Sequence, residues 1–158
     1  MRRSDREITD KNEIYKVMKN CQVCNLALYD EEYPYIVPMN FGVAKEGDTF
    51  ALYFHGANAG KKMALMEKNS HVSFSMYGKH ELVTGEKACD YSMDFESVCG
   101  SGILTKIEDL QEKREALTVL MDQYSDAPLH EFDERMVQAI AVLKITVTQF
   151  TGKRLKEL

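Results

Sequence analysis

The chain has 158 residues, 44% of them apolar and 28% charged, so its length and composition are those of one ordinary globular domain. Its formal net charge of -5 and its pI near 5.4 argue against a general nucleic-acid binder, whose phosphate contacts need a basic surface. No apolar run is long enough to span a bilayer, and the N-terminal segment is charged rather than signal-like. We therefore expect a cytoplasmic protein with neither nucleic-acid nor membrane partners.

The first half of the chain predicts one helix followed by strands. A helix is predicted over residues 10–20, where Asp10 suits the start and apolar residues recur on one face. Apolar and polar residues then alternate over 24–28 and 35–44, which predicts two strands joined by an acidic turn. A hairpin turn leads from there into a third strand over 49–55.

The second half predicts more strands with helices between them. We expect an amphipathic helix from Ile107 to Tyr124 and a second helix from about residue 131. The predicted strands cover residues 71–77, 80–87, 95–105 and 142–150. About seven short strands, mostly antiparallel, predict a mainly β (α+β) fold, a closed or nearly closed β-barrel with flanking helices.

The four cysteines do not predict a metal site. Cys21 and Cys24 form a CxxC, but Cys89 and Cys99 lack the close spacing of a second zinc half-site. We interpret the CxxC pair as a helix-end cysteine and a strand cysteine packed in the core, and all four as free thiols.

The turn after the strand at 49–55 has the residues of an anion site. His55 ends the strand, the turn 56–60 carries two glycines, and a helix is expected to begin near Asn58. Free backbone N–H groups and the positive end of that helix would lie beside Lys61 and Lys62, which could anchor a phosphate monoester. Taken alone, such a turn is more often an ordinary surface connection, and the spacing of a P-loop is absent.

The neighbouring strands add a flat surface to this anion site. Pro38 and Asn40 lie on the less apolar face of one predicted strand, and Tyr53 and His55 lie on the less apolar face of its expected hairpin partner. In an antiparallel pair these residues would become cross-strand neighbours. The pattern predicts a site for a planar aromatic ligand with a phosphate tail.

Five segments together resemble a known family in order and spacing. They are "PYIVPMNFGV", "TFALYFHGANAGKK", "NSHVSF", "DFESVCGSG" and "TGKRL". They resemble the pyridoxamine 5'-phosphate oxidase-like split-barrel flavoproteins, specifically the nitroimidazole-resistance branch, over approximately residues 10–154. The resemblance implies a single split-barrel flavin-binding domain over residues 1–158, in a homodimer that binds two FMN molecules (FAD in some members) at the subunit interface.

The resemblance also implies roles for particular residues. The strand 37–40 matches the strand that contacts the isoalloxazine, His55 matches a histidine near the reactive ring, and Lys61 or Lys62 matches the phosphate-binding cation. The segment 96–98 resembles a strand that approaches the flavin, expected from the second subunit. His55 is the predicted catalytic residue, and the predicted cofactor-binding residues are Val37, Pro38, Met39, Asn40, Tyr53, Phe54, His55, Gly60, Lys61, Lys62, Glu96, Ser97 and Val98.

The expected activity is flavin-dependent reduction of a nitro compound or a similar small acceptor by a nicotinamide donor. His55 would donate a proton or bind an anionic substrate, because the unperturbed pKa of histidine is about 6.5. Pyridoxamine-phosphate oxidation is not expected, because the chain lacks the family's longer, arginine-rich C-terminal region and has no tryptophan. Two alternatives stay open: a non-catalytic protein that binds or stores flavin or haem, and a structural or protein-interaction barrel.

Overall fold

The computed structural model describes residues 3–155, so residues 1–2 and 156–158 of the predicted domain lie outside the described residues. Two short 3-10 turns lie at Ser4–Arg6 and Ala88–Asp90. The helices are α1 (Lys11–Asn20), α2 (Lys61–Lys68), α3 (Leu110–Met121) and α4 (Glu134–Ala139). The strands are β1 (Glu7–Ile8), β2 (Cys24–Leu28), β3 (Tyr35–Met39), β4 (Gly42–Glu46), β5 (Thr49–Gly56), β6 (His71–Val83), β7 (Ser92–Ile107) and β8 (Ala141–Leu155).

The strands form one antiparallel, eight-stranded sheet in the order β3-β2-β6-β7-β8-β5-β4, with β1 paired beside β8. Over residues 3–155, β3 pairs only with β2 and β4 only with β5, so the two ends of the sheet do not join. The sheet is therefore an open, split barrel. The predicted fold class, a mainly β barrel with flanking helices, is confirmed.

Two hydrophobic clusters lie on opposite faces of the sheet. The inner face buries the larger cluster, which includes Phe54 and Leu143 and is closed by Val17 and Met18 of α1 and by Met63 of α2. On the outer face of β5 and β8, helices α3 and α4 cover the smaller cluster, which consists of Ile107, Ala116, Leu117, Val137 and Val142. Strand β5 thus has a packed surface on both faces, as a strand in the middle of a two-layer fold requires.

The start of α1 and the packing of the CxxC pair agree with the sequence. The Asp10 carboxylate accepts a hydrogen bond from the Asn12 backbone N–H at 2.8 Å and caps α1 as predicted. Cys21 and Cys24 are buried free thiols, and burial raises the pKa of both to about 12. Both thiols therefore stay protonated at neutral pH. None of the helices within residues 3–155 is long and apolar enough to cross a bilayer.

The predicted single strand over 35–44 is wrong, because the chain leaves the sheet between β3 and β4. The Phe41 backbone N–H donates to the Tyr124 hydroxyl at 2.9 Å, and the Asn40 side chain donates to the Gln22 carbonyl at 3.2 Å. These bonds turn the chain from one edge of the sheet to the other. The two halves of the predicted strand therefore lie at opposite ends of the strand order.

Several further boundaries differ from the sequence predictions; strand β8, for example, continues to Leu155 rather than ending at residue 150. Strand β6 continues without a break through the predicted gap at 78–79 and ends at Val83, with a register shift between Tyr77 and His80. Helix α4 begins at Glu134, where Asp133 caps it, rather than at residue 131. Helix α2 begins at Lys61 rather than near Asn58.

Candidate functional site

The turn between β5 and α2 leaves the start of α2 without a side-chain cap. Gly60, the residue before the helix, has φ 117° and ψ 177°, a conformation that is essentially confined to glycine. No acidic side chain lies in the first turn of α2. The first backbone N–H groups of the helix have no intrahelical partners, and no side chain caps them. Because the start of a helix carries a partial positive charge, an anion could bind these groups.

Lys62 places an unpaired ammonium where the end of β3 faces the end of β5. Its Nζ lies 3.3 Å from the Met39 sulfur, and a Cβ added to Gly56 would lie 2.9 Å from the same nitrogen. The side chain is half-buried, and within residues 3–155 no acidic group pairs with it. Desolvation lowers the pKa of Lys62 below its usual value. A partly buried cation without a counter-charge is the strongest indication of an anion site in this chain.

Lys61 is in a different environment, although it is the next residue. Its Nζ lies 2.6 Å from the Asp30 carboxylate and 5.0 Å from the centre of the Tyr35 ring. The hydrogen bond to Asp30 raises the pKa of Lys61. The cation is exposed and already paired, so the structure distinguishes two lysines that the sequence left equivalent.

His55 lies on the outer face of β5 and borders a cavity of about 360 Å³ beneath α3 and α4. Apolar side chains of α3 (Leu117, Leu120) and of α4 (Met136, Val137) form most of its wall. His55 is itself exposed, and its side chain points away from the face to which a Gly56 side chain would point, since successive strand residues alternate. The anion site and the cavity thus lie on opposite faces of the same strand end.

The predicted flat patch is wrong, because its residues do not become cross-strand neighbours. Pro38 on β3 lies opposite Asn25 of β2, whereas Tyr53 on β5 lies opposite Gly42 of β4 and Lys144 of β8. Tyr53 is half-covered and packs against the smaller hydrophobic cluster. Its burial raises the pKa of the phenol. The face of β5 that carries Tyr53 is therefore roofed by helices rather than open.

The other predicted site residues differ in what they can present to a ligand. The side chains of Phe54 and Val98 are fully buried in the barrel interior, so only their backbone could face a ligand. Glu96 accepts a hydrogen bond from Arg154 at 2.6 Å, and Ser97 is half-exposed beside it on β7. Strand β7 is separated from β3 by β2 and β6. One chain therefore does not bring β3 and the segment 96–98 together.

Sequence reasoning missed the walls of the cavity. Leu117, Leu120 and Met121 belong to the apolar face of the predicted helix from Ile107 to Tyr124, a pattern typical of core packing. The second stripe, Met136, Val137 and Ile140, follows helical spacing and was a detectable signal. Only the packing of α4 over the end of β5 shows that the two stripes enclose a space.

Residues 10–154 match the family described as pyridoxamine 5'-phosphate oxidase. The chain belongs to this family. The match covers β2 to β8 and all four helices, so the family assignment rests on nearly the whole chain. No curated protein sequence matches the chain.

Solved structures support the assignment to the pyridoxamine 5'-phosphate oxidase family. A protein from Bacteroides thetaiotaomicron assigned to 5-nitroimidazole antibiotic resistance is 35% identical, with a TM-score of 0.80 over 93% of this chain and 85% of that one. The predicted resemblance to the nitroimidazole-resistance branch is thus confirmed.

Two more distant structures share the fold. The flavocytochrome Anf3 from Azotobacter vinelandii is 20% identical, with a TM-score of 0.81 over 99% of this chain and 72% of that one. The FAD and heme binding protein from Mycobacterium smegmatis is 18% identical, with a TM-score of 0.82 over 96% of this chain and 74% of that one. At these identities the likeness establishes the barrel and not the ligand.

Proposed function

We propose that the chain binds FMN and uses it to pass electrons from a nicotinamide donor to a nitro compound or a similar small acceptor. Membership of the pyridoxamine 5'-phosphate oxidase family and the 35% identity to a protein assigned to nitroimidazole resistance support this reaction class. A bound flavin supplies the electron transfer, and the protein supplies its position and its electrostatic surroundings. FAD remains an alternative cofactor. Of the two more distant structures with the same fold, one is named an FAD and heme binding protein and the other a flavocytochrome.

The observation that carries the proposal is the unpaired ammonium of Lys62 beside the uncapped start of α2. A phosphate would satisfy both, since it accepts hydrogen bonds from backbone N–H groups and pairs with the ammonium. Gly56 keeps the space beside Lys62 clear, because a side chain there would contact its Nζ. The residues present therefore fit the phosphate end of a flavin nucleotide. Each charge-assisted hydrogen bond contributes roughly 1.5–3 kcal/mol to such binding.

We further propose that His55 serves the reaction as the proton donor. Its side chain is exposed at the end of the helix-covered face of β5, where it borders the cavity rather than the barrel core. Within residues 3–155 the ring has no hydrogen-bond partner, so its nitrogens are free to meet a substrate. A histidine side chain that can reach a bound substrate is a common general acid in enzymes.

A homodimer is the proposed working form. The outer face of β3, β2, β6 and β7 carries an open apolar recess of about 580 Å³ bordered by Tyr29 and Ile36 and floored by small residues such as Ala27 and Ser73. A second copy on this face would cover exposed apolar surface. It would also supply the segment 96–98, which β3 of the same chain does not meet.

The proposal is tested by the absorbance spectrum of the purified protein, followed by anaerobic titration with NADH and NADPH. We expect a yellow protein whose flavin absorbance bleaches on addition of one of the two donors and returns when a nitro compound is added. A yellow protein that bleaches with neither donor would support the storage alternative. A colourless protein that does not bind added FMN would overturn the flavin assignment itself.

A further inference from the structure

The cavity beneath α3 and α4 has the size and lining of a small-molecule site. Its volume of about 360 Å³ falls in the range of ligand pockets, roughly 300–1,000 Å³. Leu117, Leu120 and Val137 are nearly fully buried around it. Met136 lies at the mouth with 65% of its surface exposed, so a ligand that enters the cavity can reach it. The smaller cluster thus leaves a space that its own side chains do not fill.

The frame of the cavity is fixed by hydrogen bonds. The buried Lys113 of α3 donates from its Nζ to the Ile140 carbonyl at 3.1 Å, just after α4 ends. The Asn58 side chain donates to the Ala139 carbonyl at 2.7 Å, which joins the same end of α4 to the turn before α2. These bonds fix the end of α4 to α3 and to the turn after β5. The Asn58 bond links the frame of the cavity to the proposed flavin-phosphate turn, although the anion site itself lies on the other face of β5.

The polar groups at the cavity select against anions. Among the described residues that line the cavity, His55 is the one whose side chain can both donate and accept a hydrogen bond without carrying a fixed charge. Glu131 and Asp133 lie at the rim, so a negatively charged ligand would meet two carboxylates. Below this rim the named wall residues are apolar, so an ion of either sign would lose hydration there without meeting a charged side chain.

We infer that this cavity binds a small, neutral ring compound, held by apolar contacts with its hydrogen-bonding group toward His55. The inference rests on the proposed function only in taking this compound to be the electron acceptor. The position of His55 supports the link, because the same residue borders the cavity and immediately precedes Gly56, at the flavin-phosphate turn. The carboxylates at the rim make neutral acceptors the preferred class and carboxylated ones poor ligands.

Methionine methyl groups provide a direct test of binding. Of the nine methionines, Met121 and Met136 line the cavity, whereas Met18 and Met76 lie in the barrel interior. The full-length protein with its bound flavin, labelled with ¹³C at the methionine methyls, is titrated with neutral 4-nitrobenzyl alcohol and separately with anionic 4-nitrobenzoate. The alcohol should shift the Met121 and Met136 signals to saturation and leave the other two unchanged, and the benzoate should bind at least tenfold more weakly.

Two variants separate binding in the cavity from indirect effects. Met136→Trp places a large side chain at the mouth and should weaken binding of the alcohol at least tenfold, read from the Met121 signal. Met93→Trp, at an exposed methionine of β7, is the matched control and should bind as the unchanged protein does. The flavin spectrum should be the same in both variants.

Several outcomes would overturn the inference. These are no shift at Met121 and Met136, equal affinity for the two probes, or full binding in Met136→Trp. A Met136 signal that changes with protein concentration in the absence of probe would mean that a second copy fills the cavity, which also overturns it. Because the titration reads the cavity and not turnover, loss of this site would leave the flavin assignment standing, and a colourless protein could still be titrated.

Discussion

Lys61 and Lys62 are adjacent in the sequence, but Lys61 pairs with the Asp30 carboxylate, whereas no acidic group within residues 3–155 pairs with Lys62. Consecutive helical residues point about 100° apart, so one ammonium reaches Asp30 on the surface while the other enters the gap between β3 and β5. The sequence predicted that one of the two holds a phosphate and could not say which. The choice depends on Asp30 and Met39, which lie more than 20 residues earlier in the chain and meet the lysines only in the folded protein.

The lowered pKa of Lys62 predicts how flavin binding changes with pH. As the pH rises through this pKa, which lies below the usual 10.5, the ammonium loses its proton and its attraction for a phosphate. The dissociation constant of FMN should therefore rise toward that of riboflavin as the pH rises from neutral through this lowered pKa, and roughly tenfold or more once the ammonium is fully deprotonated. Riboflavin, which has the same ring without the phosphate, is the control, measured by fluorescence quenching. Parallel curves for the two flavins would contradict the assignment.

The lowered pKa of Lys62 also makes the stability of the flavin-free protein depend on pH. Here a rise in pH is favourable, whereas it weakens FMN binding. Between the folded and unfolded pKa values of Lys62, the unfolded chain binds more protons than the folded one. The contribution of Lys62 to the free energy of unfolding must therefore increase with pH in that window. Lys62→Met removes this contribution, so the difference in stability between the variant and the unchanged flavin-free protein should shrink as the pH rises from 8 to about 10.5. Denaturant titrations at several pH values measure it, and a constant difference would contradict the prediction.

At the scale of elements, strands with strict alternation were predictable and the break between β3 and β4 was not. Residues 24–28 alternate buried and half-buried positions as their sequence indicates. The break at Asn40 and Phe41 lies within an equally regular pattern. The break arises because the Phe41 backbone N–H donates to the Tyr124 hydroxyl and the Asn40 side chain donates to the Gln22 carbonyl. Both acceptors are distant in sequence. Local patterning carries no information about such contacts.

A substitution at Gly42 tests how closely α3 packs against the barrel. A Cβ at this position would lie 2.5 Å from Leu120 Cα and 2.6 Å from the Val119 carbonyl oxygen, both backbone atoms of α3. Gly42→Ala should therefore push α3 outward and destabilise the protein by roughly 1–3 kcal/mol. That loss lowers the melting temperature by about 2–12 °C for a chain of this length.

Gly47 is the matched control for this prediction. Gly47 has φ 57°, in the left-handed region that asparagine tolerates, and no atom lies within 4 Å of an added Cβ. The Gly47→Asn variant should therefore have a melting temperature close to that of the unchanged protein. Differential scanning calorimetry compares the two variants. An unchanged melting temperature for Gly42→Ala would mean that α3 is not tightly seated on β4.

At the scale of the whole molecule, the fold class followed from composition and periodicity, whereas the shape of the site did not. Short antiparallel strands with inserted helices indicated a barrel, and five segments in order indicated the family. The sequence did not indicate that β3 and β4 lie at opposite ends of an open sheet, or that α3 and α4 roof one face of β5. Both facts decide where a flavin could lie, and both depend on strand order rather than on any local signal. The cytoplasmic location remains a prediction.

The proposed homodimer predicts the effect of a charge on the outer face of the sheet. Ile36 is 62% exposed on β3, and Ile36→Glu would bury a carboxylate if a second copy covers that face. We expect this variant to sediment as a monomer and to lose most of its flavin. Leu129→Glu, at a 73% exposed leucine in the loop before α4, is the control and should stay dimeric. A dimer that tolerates Ile36→Glu would place the interface elsewhere.

The central claim is that Lys62, and not Lys61, holds the phosphate of the flavin. The most direct test is the affinity of FMN and of riboflavin for the unchanged protein, Lys61→Met and Lys62→Met, by isothermal titration. We predict that Lys62→Met weakens FMN binding by about 10- to 150-fold while riboflavin binding stays the same, and that Lys61→Met changes neither by more than about threefold. A folded Lys62→Met protein that binds FMN as tightly as the unchanged protein would contradict the account, as would equal losses for both flavins.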